Sequence, residues 1–92
     1  MFAISFDLLW NETKRTHPKG VPQAYAEIGN VLNRYGFSRI QGSVYMAQQG
    51  SLVDVTLAMT ALKTLSWFPT CVRDIRAFKV EDWSDFTDFI KS

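Results

Sequence analysis

Asp7 is the first residue that could do chemistry. It closes an alternating run in which Phe2, Ile4, Phe6 and Leu8 interleave with Ala3, Ser5 and Asp7, so it stands at the C-terminal end of a strand. The stretch that follows carries Lys14, Arg15 and Lys19. A carboxylate there, paired with its mate from a second copy, could hold magnesium or act as a general base on a ribose hydroxyl. The plainer role is a strand-end carboxylate accepting loop N–H bonds. Asp74 is the second carboxylate, set between Arg73 and Arg76. Such a strand suits either a nucleic-acid-facing surface or an ion-pair ladder at an interface. Ser43 follows Gly42 in a turn, where its hydroxyl either holds a phosphate or water or stabilises the turn itself.

The other reactive types offer less. His17 reads as a solvated loop residue rather than a proton shuttle. Trp10, Trp67 and Trp83 read as core or interface anchors rather than base-stacking platforms, and Cys71 as a small buried hydrophobe. Phosphate-binding glycine loops, a dinucleotide fingerprint and a nucleophile elbow are all absent.

The elements that must position these residues fit one small domain. The chain has 92 residues, 47% hydrophobic and 21% charged, a balance that builds a single core, so residues 1–92 are read as one domain. One cysteine and one histidine rule out an internal disulfide and a Cys/His zinc site. No apolar run approaches the roughly 20 residues of a membrane span, and Asp7 interrupts the apolar N-terminus, so a cytoplasmic location without membrane contact is expected. The net charge of +1 conceals a division: Glu81, Asp82, Asp85 and Asp88 face only Lys91 in the tail, leaving a mildly basic body compatible with nucleic acid.

After the first strand, Asn11 to Gly20 lacks an apolar period and reads as a loop. Pro22 to Tyr35 reads as an amphipathic helix stopped by Gly36, with Tyr25, Ile28, Leu32 and Tyr35 on one face and Gly29 marking a close approach to the sheet. Phe37–Ile40 and Ser43–Met46 form a hairpin around Gln41-Gly42. Ser51 and Asp54 open a second helix that ends near Leu65 to Trp67. Val72 to Val80 is a strand whose charges on both faces call for a bulge, an edge position or burial against a partner. Ser84 caps a short final helix bearing Phe86, Phe89 and Ile90. The order is the α+β, ferredoxin-like βαββαβ: a four-stranded antiparallel sheet, helices on one face and a short C-terminal helix. The uncovered face, with Ala3, Ser5 and Asp7, suggests a homodimer.

Three stretches carry a resemblance: MFAISFDL from Met1 to Leu8, QGSVY from Gln41 to Tyr45, and VRDIRAFKVEDWSDFTDFIKS from Val72 to Ser92. Together they resemble the virulence-associated protein D (VapD) family, and the likeness covers essentially the whole chain. That family consists of small dimeric ferredoxin-like endoribonucleases, similar in fold to the CRISPR-associated spacer-acquisition nuclease subunit. Some of its members are toxins partnered by a small antitoxin. The resemblance implies a catalytic role for Asp7 and weaker ones for Ser43 and Asp74, which lie inside matching motifs. Leu9 to Pro22 departs from the family pattern, so substrate preference does not carry over.

On that reading RNA phosphates would meet Arg73, Arg76, Lys14 or Arg15. Two cleavage routes stay open. In one a carboxylate deprotonates the ribose hydroxyl and arginines stabilise the phosphorane without metal. In the other, paired Asp7 side chains hold magnesium that activates water. The alternative class is a ferredoxin-like module that binds RNA or an antitoxin without cutting. An acylphosphatase-like hydrolase is disfavoured because no arginine-bearing phosphate loop follows the first strand.

Overall fold

The computed structural model describes all residues from Met1 to Ser92. Strand β1 (Phe2–Leu8) is followed by α1 (Trp10–Thr16), α2 (Val21–Arg34), β2 (Ser38–Gln41), β3 (Val44–Ala47), α3 (Leu52–Lys63), α4 (Phe68–Cys71), β4 (Val72–Lys79) and α5 (Thr87–Lys91). The strands form one antiparallel sheet in the order β2-β3-β1-β4, as the ferredoxin-like reading requires.

The core is the helix side of that sheet. Ile4 and Phe6 of β1 and Tyr45 of β3 meet Ile28 and Leu32 of α2 and Val55, Ala58 and Leu62 of α3. Each large apolar side chain taken fully from water there is worth about 1.5–3 kcal/mol. Helix α2 is stopped by Gly36, whose φ of 88° a side chain would strain. Helix α3 opens with the anticipated reciprocal capping box, Asp54 N–H donating to Ser51 Oγ and Ser51 N–H donating to the Asp54 carboxylate.

Four local expectations change. The stretch from Asn11 is helical, not a loop: Glu12 lies in the first turn of α1, Lys14 and Arg15 in its last, and Arg15 pairs with Glu12, so charge placement rather than an apolar period supports it. Pro18 ends α1, holding His17 in extended backbone. A further short helix, α4, precedes β4. In the hairpin Gln41 pairs with Val44, so Gly42-Ser43, not Gln41-Gly42, makes the turn. At the C-terminus Asp85, not Ser84, accepts the Thr87 N–H at the start of α5.

The sheet face away from the helices is not bare. Ala3 and Met46, paired across β1 and β3, are buried without belonging to the helix-side core. Edges β4 and β2 are opposite, yet Trp83, Phe86 and Ile90 border Ile40 and Gln41, so the tail spans the width of the sheet. Phe86, Phe89 and Ile90 nevertheless remain exposed. No helix is long and apolar enough to cross a membrane.

Candidate active site

β4 is both an edge strand and bulged, which accounts for its mixed charges. Its register with β1 places Asp7 opposite Asp74, then shifts so that Leu8 pairs with Val72 and leaves Arg73 as the extra residue. A bulge re-aims a side chain that strict alternation would send to the other face. Arg73 accordingly spans both carboxylates: Nη2 donates to Asp7 Oδ2 at 2.8 Å and Nε to Asp74 Oδ2 at 3.1 Å. Arg76 Nη1 donates to the second Asp74 oxygen at 2.9 Å. The result is an alternating chain Asp7–Arg73–Asp74–Arg76. Two carboxylates directly opposite across strands would repel, and Arg73 between them removes that conflict.

This chain faces solvent. The side chains of Asp7 and Arg73 are 57% and 60% exposed, whereas Asp74 is half-buried between its two guanidinium partners. Arg73 is held above its ordinary value, first by its hydrogen bond to Asp74 and next by the charges of Asp7 and Asp74. It is therefore a fixed cation between the two carboxylates. On the β3 side, Ser43 reaches β1 only through its backbone carbonyl, which accepts the Phe6 N–H at 3.2 Å, and it lines a hollow with Tyr25, Gly29 and Tyr45 on the helix side of the sheet, not the face that carries Asp7.

The remaining expected contact residues do not join this group. Arg15 is paired with Glu12, and Lys14 Nζ lies 5.2 Å from the centroid of the Trp10 ring, a cation–π arrangement on exposed α1. Neither touches Asp7, Arg73, Asp74 or Arg76. Magnesium does not fit the donor set of one chain: no three carboxylate or imidazole groups converge, and the two nearest carboxylates both face Arg73.

His17 departs from its solvated reading. Its side chain is only 4% exposed; Nε2 faces Glu27 Oε2 at 2.8 Å, Nδ1 accepts the Lys19 N–H at 3.1 Å, and the ring meets Trp67 edge-on at 4.9 Å. Both nitrogens are committed, which specifies the Nε2–H tautomer and leaves none for substrate. Glu27 is held below the ordinary carboxylate value, chiefly by the His17 hydrogen bond acting against desolvation. Thr13 in α1 and His17 at its C-cap, four residues apart, are both buried; that spacing was the available signal for this helix. Trp67 and Cys71 are buried as expected, whereas Trp10 and Trp83 are exposed.

Known proteins resemble this chain over almost its whole length. The family model for CRISPR associated protein Cas2 matches residues 1–88. An endoribonuclease VapD homolog of Neisseria gonorrhoeae is 54% identical over 92 residues, covering 100% of both chains. The chain belongs to the VapD endoribonuclease family. The endoribonuclease VapD of Haemophilus influenzae is 52% identical over 92 residues, again 100% of each chain, and that of Helicobacter pylori is 42% identical over 94 aligned positions and 100% of each. Membership of the VapD family confirms the resemblance carried by the three sequence stretches, and the ferredoxin-like order of this VapD chain agrees with it.

Proposed function

We propose that this VapD-family chain cleaves RNA at the β1 end, with Asp7 as general base and Arg73 and Arg76 as the groups that receive the phosphate. The observation that carries the reading is the Arg73 side chain shared between Asp7 and Asp74. An RNA phosphate drawing the Nη2 end of Arg73 away from Asp7 frees that carboxylate, while Asp74 keeps hold of Nε. Asp7 then accepts the proton of the ribose 2′-hydroxyl, and the 2′-oxygen attacks phosphorus. The 5′-oxygen leaves with a proton from water, giving a 2′,3′-cyclic phosphate. Arg73 and Arg76 offset the charge that grows on the phosphorane. Asp74 is the positioning residue for both. Lys14 and Arg15, away from the group, steer the RNA backbone at longer range.

We also propose that two copies pair through the sheet face away from the helices. Exposed Phe78, Phe86 and Phe89 support this, since such apolar area is costly to leave in water. A magnesium route needs carboxylates from both copies, and no step is drawn through it. A role as the toxin of a toxin–antitoxin pair is in keeping with a small nuclease of this kind.

The test is cleavage of a mixed-sequence labelled RNA by the protein and by Asp7→Ala, each with magnesium and with EDTA, reading the product ends. Loss of cutting in the variant, with cyclic-phosphate ends from the parent in EDTA, is the expected result. RNA retained but uncut by both proteins would turn the reading to a binding module. A single monomeric species in sedimentation at micromolar concentration would overturn the dimer.

A further inference from the structure

Just beyond Asp7 the chain turns from the sheet to the helix layer, and Trp10 stands at that turn. The strand pairing fixes the place. Asp7 is opposite Asp74 and Leu8 opposite Val72, and the Leu9 N–H then donates to the Cys71 carbonyl at 2.7 Å. Trp10, the first residue of α1, is therefore the next position past the bulge that carries Arg73. Three covalent steps hold its Cα within about 11 Å of that of Asp7.

Trp10 is the tryptophan whose exposure its own chain does not account for. Trp67 is buried, and Trp83 lies with Phe86 and Ile90 beside Ile40 and Gln41. Trp10 is 57% exposed and belongs neither to the core nor to the apolar side chains packed on it. The buried positions of its helix are Thr13 and, at the C-cap, His17. A lone exposed aliphatic side chain is ordinary, but an indole left in water forgoes one of the largest apolar contacts a side chain can make.

A cation stands beside the ring. Lys14, one turn on, places Nζ 5.2 Å from the Trp10 ring centroid and, unlike Arg15, has no carboxylate partner. Ring and ammonium together match the two parts of a single-stranded nucleotide, a flat base and a phosphate. An exposed cation–π contact is weak, so a base can take the ring while the ammonium turns to the phosphate.

We propose that Trp10 is a stacking platform for the base of the nucleotide flanking the one being cut, with Lys14 on the phosphate of the stacked nucleotide. The proposal rests on RNA cleavage at Asp7 for its place along the strand. It puts a substrate contact in Leu9 to Pro22, the stretch that departs from the family pattern. Every base has a face to stack, so preference at this position follows stacking area rather than a hydrogen-bonding edge.

Two measurements on the intact chain keep the failure of each reading distinct. In the first, an eight-nucleotide single-stranded RNA of mixed sequence, 2′-O-methylated so that it cannot be cut, is titrated into isotope-labelled protein. The indole N–H signal of Trp10 is expected to move and that of Trp67 to stay. Trp10→Ala should weaken binding about tenfold and Trp10→Tyr much less, both melting at the parental temperature. Lys14→Ala should reduce the slope of log affinity against log salt by about one. An unmoved Trp10 signal with RNA bound, or equal affinity in Trp10→Ala, overturns the platform. So does a changed oligomeric state of Trp10→Ala in sedimentation, which would make Trp10 an interface anchor.

The second measurement is cleavage of the unmodified RNA. Trp10→Ala should raise KM about tenfold and leave kcat close to the parental value, since stacking holds ground state and transition state alike. An unchanged KM in a parent that cuts RNA overturns the platform and leaves cleavage at Asp7 standing. A parent that cuts nothing, yet shows the Trp10 signal moving with RNA, overturns the cleavage reading and leaves Trp10 as an RNA-binding contact.

Discussion

Asp7, near the end of β1, and His17, at the end of α1, are both titratable side chains bonded to an opposite or complementary partner, yet their surroundings differ in kind. Asp7 is mostly exposed, one of its oxygens is on Arg73, and the other carries no partner. His17 is buried, with Glu27 on one nitrogen and the Lys19 N–H on the other, against Trp67. An exposed ion pair is worth little to stability because water and salt screen it, so its members are free to exchange partners. A buried ring with both nitrogens satisfied is costly to disturb and has nothing to give a substrate. A histidine, the usual first suspect for acid–base work, is here part of the scaffold, and the aspartate is the residue available for chemistry.

That contrast can be broken or sharpened in four ways. The largest effect is expected at Asp7: Asp7→Asn should lower RNA cleavage by about 10²–10⁴-fold, the usual contribution of a positioned general base, while the melting temperature stays within error of the parent. A variant that cuts normally would erase the distinction. Next, Arg73→Lys keeps a charge but cannot span Asp7 and Asp74 with two separate donors, so cleavage should fall about 10–100-fold, read as initial rates at saturating RNA.

On the other side, His17→Ala should cost about 2–4 kcal/mol in urea unfolding, because it opens a cavity under Trp67 and strips Glu27 of its partner. The refolded variant should cut RNA at close to the parental rate; a large loss of activity at full stability would move His17 into the active site. The smallest effect concerns acid. Glu27 has a folded-state value below its ordinary 4.5. Its contribution is therefore complete above about pH 4.5 and is lost as pH falls through the lower folded value. Glu27→Gln should remove that part of the acid dependence, seen as a shallower fall of the melting temperature below pH 4.5. Because the Glu27 side chain is 41% exposed, the difference should be modest.

Much of the framework was legible because it rests on local patterns. Alternation in β1, the apolar face and terminal Gly36 of α2, and Ser51 with Asp54 at the start of α3 each state their element within a few residues. Helix α1 was not legible by the same means. It buries only Thr13, with His17 buried at its C-cap, too few positions to make a period, and its support comes from Glu12, Arg15 and contacts with α2 and α4. Asp7, Asp74 and Ser43 could be named from their types and neighbours. Their mutual arrangement could not, since the bulge that turns Arg73 between the carboxylates depends on the register of two strands 66 residues apart in the chain.

The sequence by itself determined the order of strands and long helices, the single small core, the family and the residue types at the β1 end, because each is written in short-range spacing or in a shared motif. Only the tertiary structure decided which charges meet, and that His17 is sealed while Asp7 is open. The physical reason is that hydrogen bonding and desolvation depend on distances between segments remote in the chain, and those distances exist only once the sheet has paired and the helices have closed over one of its faces.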